Sequence, residues 1–170
     1  MFSAFRQLAE RTVNSRSSIG RSSTGSTCGD ARSADYVASL ADTAPEFGRF
    51  NLLCWDGDAL RFATNHPAYD TREVSDGIHA MSNGAFDAPW PKSGHATRAL
   101  EAWLSTAQGN GAIGETMLAP LFDALADTTP APDARLPDTG VGLELERLLS
   151  PPFVRGPRYG TRCSTVVLVD

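Results

Sequence analysis

Two side chains in this sequence have the type and setting for chemistry: an asparagine amide and an arginine guanidinium. Asn83 follows an apolar, strand-like stretch and precedes Gly84, so its amide can project from a strand end. Asp87-Ala88-Pro89-Trp90-Pro91 then makes a rigid turn that carries an aromatic ring. An amide presented there can donate to a developing oxyanion. The plainer alternative is that Asn83 only supports a turn. Arg162 stands just before the apolar run 163–169, in Tyr159-Gly160-Thr161-Arg162-Cys163-Ser164-Thr165. There it is either a surface cation with a buried stem or a pre-organised charge in a site.

Other candidates carry less. His66, His79 and His95 lack i, i+2 or i, i+4 spacing, so no metal site is expected. Cys28, Cys54 and Cys163 are an odd number without a C-x-x-C pair, which argues against a zinc ribbon and a disulfide framework. Cys54 reads as a small buried apolar residue. Cys163 reads as packing at a strand start, with a thiol activated by neighbouring Arg162 as the alternative. Residues 109–114 match G-x-G-x-x-G, but a helix precedes them where a dinucleotide site needs a strand. No cofactor is expected.

The elements that must position these residues follow from periodicity. Ser33 is a candidate N-cap for a helix carrying Tyr36, Val37, Leu40 and Ala41. Residues 50–55, 60–64, 73–75 and 78–82 read as four strands of an antiparallel meander, with turns at Asp56-Gly57 and Asp76-Gly77. Ala96, Ala99, Leu100, Trp103, Leu104 and Ala107 form one helical stripe; Met117, Leu118, Leu121, Phe122 and Leu125 form another. Gly109-Asn110-Gly111 would join them as a hairpin. A Pro-rich loop spans 129–138, a short helix 143–149 stops at Pro151 and Pro152, and 163–169 reads as a buried strand. The sum is an α+β chain, mostly antiparallel sheet with a helical hairpin.

The chain has 170 residues, of which 41% are hydrophobic and 21% charged, a globular composition. A domain of this size buries roughly 70% of its unfolded surface without staples. Arg6, Arg11, Arg16 and Arg21 against Glu10 give residues 1–29 a net charge of +3. Since the whole chain carries -5, the rest carries -8. That acidic body excludes nucleic acid as the expected partner. No apolar run is long enough to span a membrane. The unpaired cysteines point to a reducing, cytoplasmic setting. Residues 1–32 are Ser- and Arg-rich and are expected to be disordered, outside the native domain at 33–170; a transit peptide is the other reading of that composition.

Five segments together resemble the NRDE family, also called the transport and Golgi organisation protein 2 family. They are Phe50-Asn51-Leu52-Leu53, residues 82–92, residues 136–141, Glu146-Arg147-Leu148-Leu149-Ser150-Pro151 and residues 159–169. The resemblance covers 33–170. It implies an αββα sandwich like that of N-terminal-nucleophile hydrolases, here incomplete. It also implies a Cys nucleophile exposed by Met removal, with its own amine as base, and cleavage of linear amide C–N bonds. On that likeness Asn83 is an oxyanion-hole residue and Arg162 supports the nucleophile. The sequence departs from the pattern at Phe2, where the family has Cys, and contains no Asn-Arg-Asp-Glu. The expectation is therefore a truncated, inactive relative of amide hydrolases, whose partner is a small-molecule amide or ligand. The alternative is a non-catalytic ligand-binding or secretory-trafficking protein.

Overall fold

A computed structural model describes residues 3–7, 32–107 and 114–168. They belong to two compact units: residues 7–77, and residues 1–6 with 78–170.

The unit of residues 7–77 grows from Asp56. Its carboxylate accepts the backbone N–H groups of Asp58 (3.1 Å) and Ala59 (2.9 Å), shaping the turn between β2 (Asn51–Trp55) and β3 (Leu60–Thr64). Gly57, at φ 98, supplies the left-handed residue that this turn requires. The same carboxylate accepts Ser33 N–H at 2.7 Å, at the start of α1 (Ser33–Ser39). Ser33 is thus the first helical residue and not the N-cap. Asp56 satisfies the orphan N–H of Ser33 itself, and no side-chain cap bond forms at Arg32. These bonds hold the Asp56 carboxyl far below the ordinary range.

β2, β3 and β4 (Asp70–Glu73) form a three-stranded antiparallel sheet in sequence order. Alternation in β3 sends Phe62 inward at 2% exposure, where Val37 of α1 and Val74 are also buried. Its register neighbours Arg72 and Phe62 meet as a cation–π pair at 5.3 Å, and Arg61 pairs with Glu73 at 2.9 Å. Asn65 ties the loop before β2 to the end of β3. Its Oδ1 accepts Phe50 N–H at 2.8 Å, and its Nδ2 donates to the carbonyls of Ala44 (2.9 Å), Phe47 (3.3 Å) and Gly48 (3.1 Å).

The second unit holds β5 (Gly77–Met81) from Ile78 onward. The expected meander does not continue into it. β5 pairs with β1 (Ser3–Gln7) and not with β4. The third expected strand, 73–75, also lies earlier, at Asp70–Glu73. Gly77, at φ 150, turns the chain, but Asp76-Gly77 does not make a hairpin. A turn signal shows that the chain bends; it does not name the strand that will be its neighbour. Ser3–Gln7 therefore forms structure inside a segment expected to be disordered. Apart from Arg32, the rest of that segment lies outside the described residues.

The helical hairpin forms between α2 (Pro91–Ala107) and α3 (Ala119–Leu125), with a short 3-10 turn at Glu115–Leu118. Pro91 suits the first helical position because it has no N–H to lose there. Ala96 and Trp103 are buried on the expected face, and Trp103 Nε1 donates to Met117 O at 2.6 Å. Leu121 is buried, whereas Phe122, assigned to the same stripe, is exposed. The Gly-rich joint, with most of the G-x-G-x-x-G match, lies outside the described residues. α4 (Leu143–Leu149) has the expected bounds. Among the described residues no helix is long and apolar enough to cross a membrane. The described chain is α+β, with a small antiparallel sheet and four α-helices.

Asn65→Asp should destabilise the unit of residues 7–77 by about 2 kcal/mol, since three carbonyls lose a donor and face a charge. Urea unfolding of the variant beside the parent chain measures it.

Candidate functional site

The segment that bears Asn83 is closed at its neck by Asp87. Oδ1 of Asp87 accepts Ala80 N–H at 2.8 Å, and Asp87 N–H donates to Ala80 O at 2.9 Å. Oδ2 meets His79 Nδ1 at 2.8 Å. Asp87 has φ 58, a left-handed conformation that Asp tolerates because its short side chain bonds locally. Here those local bonds are the ones to Ala80 and His79. Phe86 packs its ring against His79, centroids 5.4 Å apart. The neck leaves residues 81–86 as a closed bend with Asn83 exposed on it.

Trp90 fixes the bend from a second direction. A Cβ on Gly84 would stand 2.5 Å from Trp90 Cζ2, so only glycine fits beside Asn83. Trp90 is in turn held by Lys92, the only lysine in the chain. The Lys92 ammonium lies 5.3 Å from the centre of the Trp90 ring and donates to Leu149 O at 3.1 Å. Leu149 is the last residue of α4, so the ammonium sits where a helix end favours positive charge. Burial pushes the Lys92 pKa down, and the negative charge of Glu146 opposes that shift.

Glu146 is 7% exposed. Its Oε1 accepts Thr139 N–H at 2.7 Å and Thr139 Oγ1–H at 2.6 Å. α4 thus turns Glu146 inward, while Leu143, Leu145 and Leu148 are exposed. Periodicity could not reveal this inversion, because it assumes leucines inside. Two stretches distant in sequence meet at Lys92, one holding Trp90 and the other Glu146 and Leu149. The signal that the sequence offers for this cluster is that Lys92 is its single lysine. His79 pairs with the Asp87 carboxylate, a partner that spacing between histidines does not reveal.

Arg162 belongs to the same unit but to a different environment. Thr161 exchanges two bonds with buried Val154: its N–H donates to Val154 O at 2.9 Å, and its Oγ1 accepts Val154 N–H at 3.0 Å. Arg162 follows this clasp and is exposed, as is Cys163. The expected buried strand does not form over 161–168: these have no strand partner among the described residues, and Val167 is 75% exposed. β-branched content favours extension, but burial needs a neighbouring strand to pair with. Cys163 therefore is not packed at a strand start. Cys54 lies half-buried in β2.

Beside the neck is an open cavity of about 380 Å³, with Asp87 in its wall and α2 along one side. Neither Asn83 nor Arg162 lines it. Among the described residues, no group of three or more His, Cys, Asp or Glu side chains is placed to hold a metal ion.

Comparison with known proteins gives a consistent result. The model of the family described as Transport and Golgi organisation 2 matches residues 6–170. The Transport and Golgi organization protein 2 homolog of Homo sapiens is 27% identical over 151 residues, covering 83% of this chain and 53% of the human protein. The Bos taurus homolog is 28% identical over 154 residues, with the same coverage. The Transport and Golgi organization 2 homolog of Mus musculus is 22% identical over 153 residues. The chain spans about half the length of the curated relatives it matches.

An NMR titration of the single lysine side chain should place its pKa below the ordinary lysine value. In Glu146→Gln it should fall further, because desolvation then acts unopposed. A rise in that variant would contradict the arrangement.

Proposed function

Because this chain belongs to the transport and Golgi organisation 2 family, we propose that it carries the supporting part of a site related to cysteine amide hydrolases with an N-terminal nucleophile, within an αββα-type fold. In this reading Asn83 donates its side-chain N–H to the oxyanion formed when a linear amide is attacked. Arg162 supplies positive charge to the nucleophile. The observation that carries the reading is the closed neck at Ala80 and Asp87, which leaves Asn83 exposed on a fixed bend. A donor fixed before the reaction needs no reorganisation as charge develops, and losing one such donor costs roughly 100-fold or more in rate.

The nucleophile does not come from the thiols described. Cys54 is half-buried within β2. Cys163 is exposed, but it lies on the unpaired segment after the Thr161 clasp. Loss of an activated nucleophile costs orders of magnitude in rate. These 170 residues are therefore expected to hold an amide without cleaving it.

The test is direct. The purified chain, incubated with chromogenic small amides, should release no product above the buffer background. Turnover that fell on Asn83→Ala would overturn the expectation of inactivity.

A further inference from the structure

We propose that the charge on Lys92 positions the Asn83 amide through Trp90: the ammonium pins the bend at 81–86, and its neutralisation loosens that bend. Lys92 is then a positioning residue, and the bend responds to its protonation. The reading of Asn83 as an oxyanion donor gives this coupling its functional consequence. The coupling itself stands on contacts.

Trp90 is fixed at its main chain and depends on its neighbours at its ring. Its N–H donates to Ala88 O at 2.7 Å, and its carbonyl accepts Gly94 N–H at 3.0 Å in the first turn of α2. The ring lies on Gly84, where an added Cβ would stand 2.5 Å from Cζ2 and 2.8 Å from Cη2. A ring that close to the backbone cannot turn away without freeing Gly84, and Asn83 is the adjoining residue. On its other contact the ring meets the Lys92 ammonium, 5.3 Å from the ring centre. That attraction is between a positive charge and the ring quadrupole, so a neutral amine forfeits it.

The surroundings of Lys92 make its charge the controlling quantity. It donates to Leu149 O at 3.1 Å, at the end of α4, where the peptide dipoles favour a cation. Glu146 of the same helix is 7% exposed, and its negative charge also favours the ammonium. Burial acts in the opposite sense and brings deprotonation within closer reach. The other charged groups on these helices have partners elsewhere. Arg147 pairs with Asp133 at 2.6 Å and Glu144 at 2.5 Å, and His95 of α2 lies 3.8 Å from Asp127. A neutral Lys92 can still donate to Leu149 O, but it loses the ring, the dipole and the carboxylate together. The bend is therefore pinned while Lys92 holds its proton and loosened once that proton leaves.

The test uses the full chain, isotope-labelled, with carbon-detected NMR so that fast amide exchange at alkaline pH does not matter. Lys92 Cε, Gly84 Cα and Asn83 Cγ are followed from neutral to about pH 11. The Gly84 and Asn83 signals should move with the same midpoint as Lys92 Cε, while Ala63 in the β2–β3 ladder stays in place. In Glu146→Gln the midpoints should fall together. Lys92→Arg keeps its charge over this range and should hold Gly84 and Asn83 at their neutral positions throughout. Lys92→Met should show the loosened positions already at neutral pH. Gly84 and Asn83 signals that ignore the Lys92 titration in the parent chain would overturn the proposal, as would a midpoint that persists in Lys92→Arg. No amide substrate takes part, so an Asn83 without a role in amide chemistry leaves these results intact, and a failed coupling leaves the amide reading intact.

Discussion

The double closure between Ala80 and Asp87 is the constraint on which the rest of the site depends. Two backbone groups at the end of β5 are satisfied by one residue seven positions later: Ala80 N–H by the Asp87 carboxylate, and Ala80 O by the Asp87 N–H. A strand end that emerges from its ladder has polar groups to satisfy. Here they are satisfied by one residue, whose carboxylate and backbone N–H together act as a short substitute for a neighbouring strand. The left-handed backbone at Asp87 is part of the same solution, because it brings main chain and carboxylate to the same partner. His79 uses the second carboxylate oxygen, so the closure also sets a wall of the cavity.

A second layer of support is polar and lies where leucines were expected. α4 turns Glu146 inward to Thr139 and receives Lys92 at its last carbonyl. Lys92 holds Trp90, and Trp90 occupies the space that any side chain at position 84 would need. Buried polar groups are costly unless satisfied, and such a network is favourable only when its members are paired. The bonds of Glu146 and Lys92 meet that condition. The consequence for function is rigidity around Asn83, which is what an electrostatic role for its amide would require.

Much of the architecture was legible in the sequence, and the gaps have physical causes. β3 and α4 have the expected bounds because local signals, a turn at Asp56-Gly57 and prolines after Leu149, mark them. The hairpin of α2 and α3 was legible from the stripe containing Ala96 and Trp103. The pairing of β5 with β1 was not, because partner choice is a long-range matter that no local pattern encodes. The run 163–169 departs from expectation for the same reason: its residues favour extension, but nothing within it supplies a neighbouring strand. In the site, Asn83 and its turn were legible from the Asn-Gly and Asp-Ala-Pro-Trp-Pro signals. The His79–Asp87 contact and the inward Glu146 were not, since both depend on residues meeting across a bend.

Amide hydrogen exchange at Ala80 tests the central claim most directly, because that N–H is bonded to the Asp87 carboxylate. The account predicts that Ala80 N–H is protected in the parent chain. In Asp87→Ala it should exchange much faster, while the ladder between β2 and β3 keeps its protection. Free exchange at Ala80 in the parent chain, or protection that survives Asp87→Ala, would show that the neck is not what holds Asn83 in place.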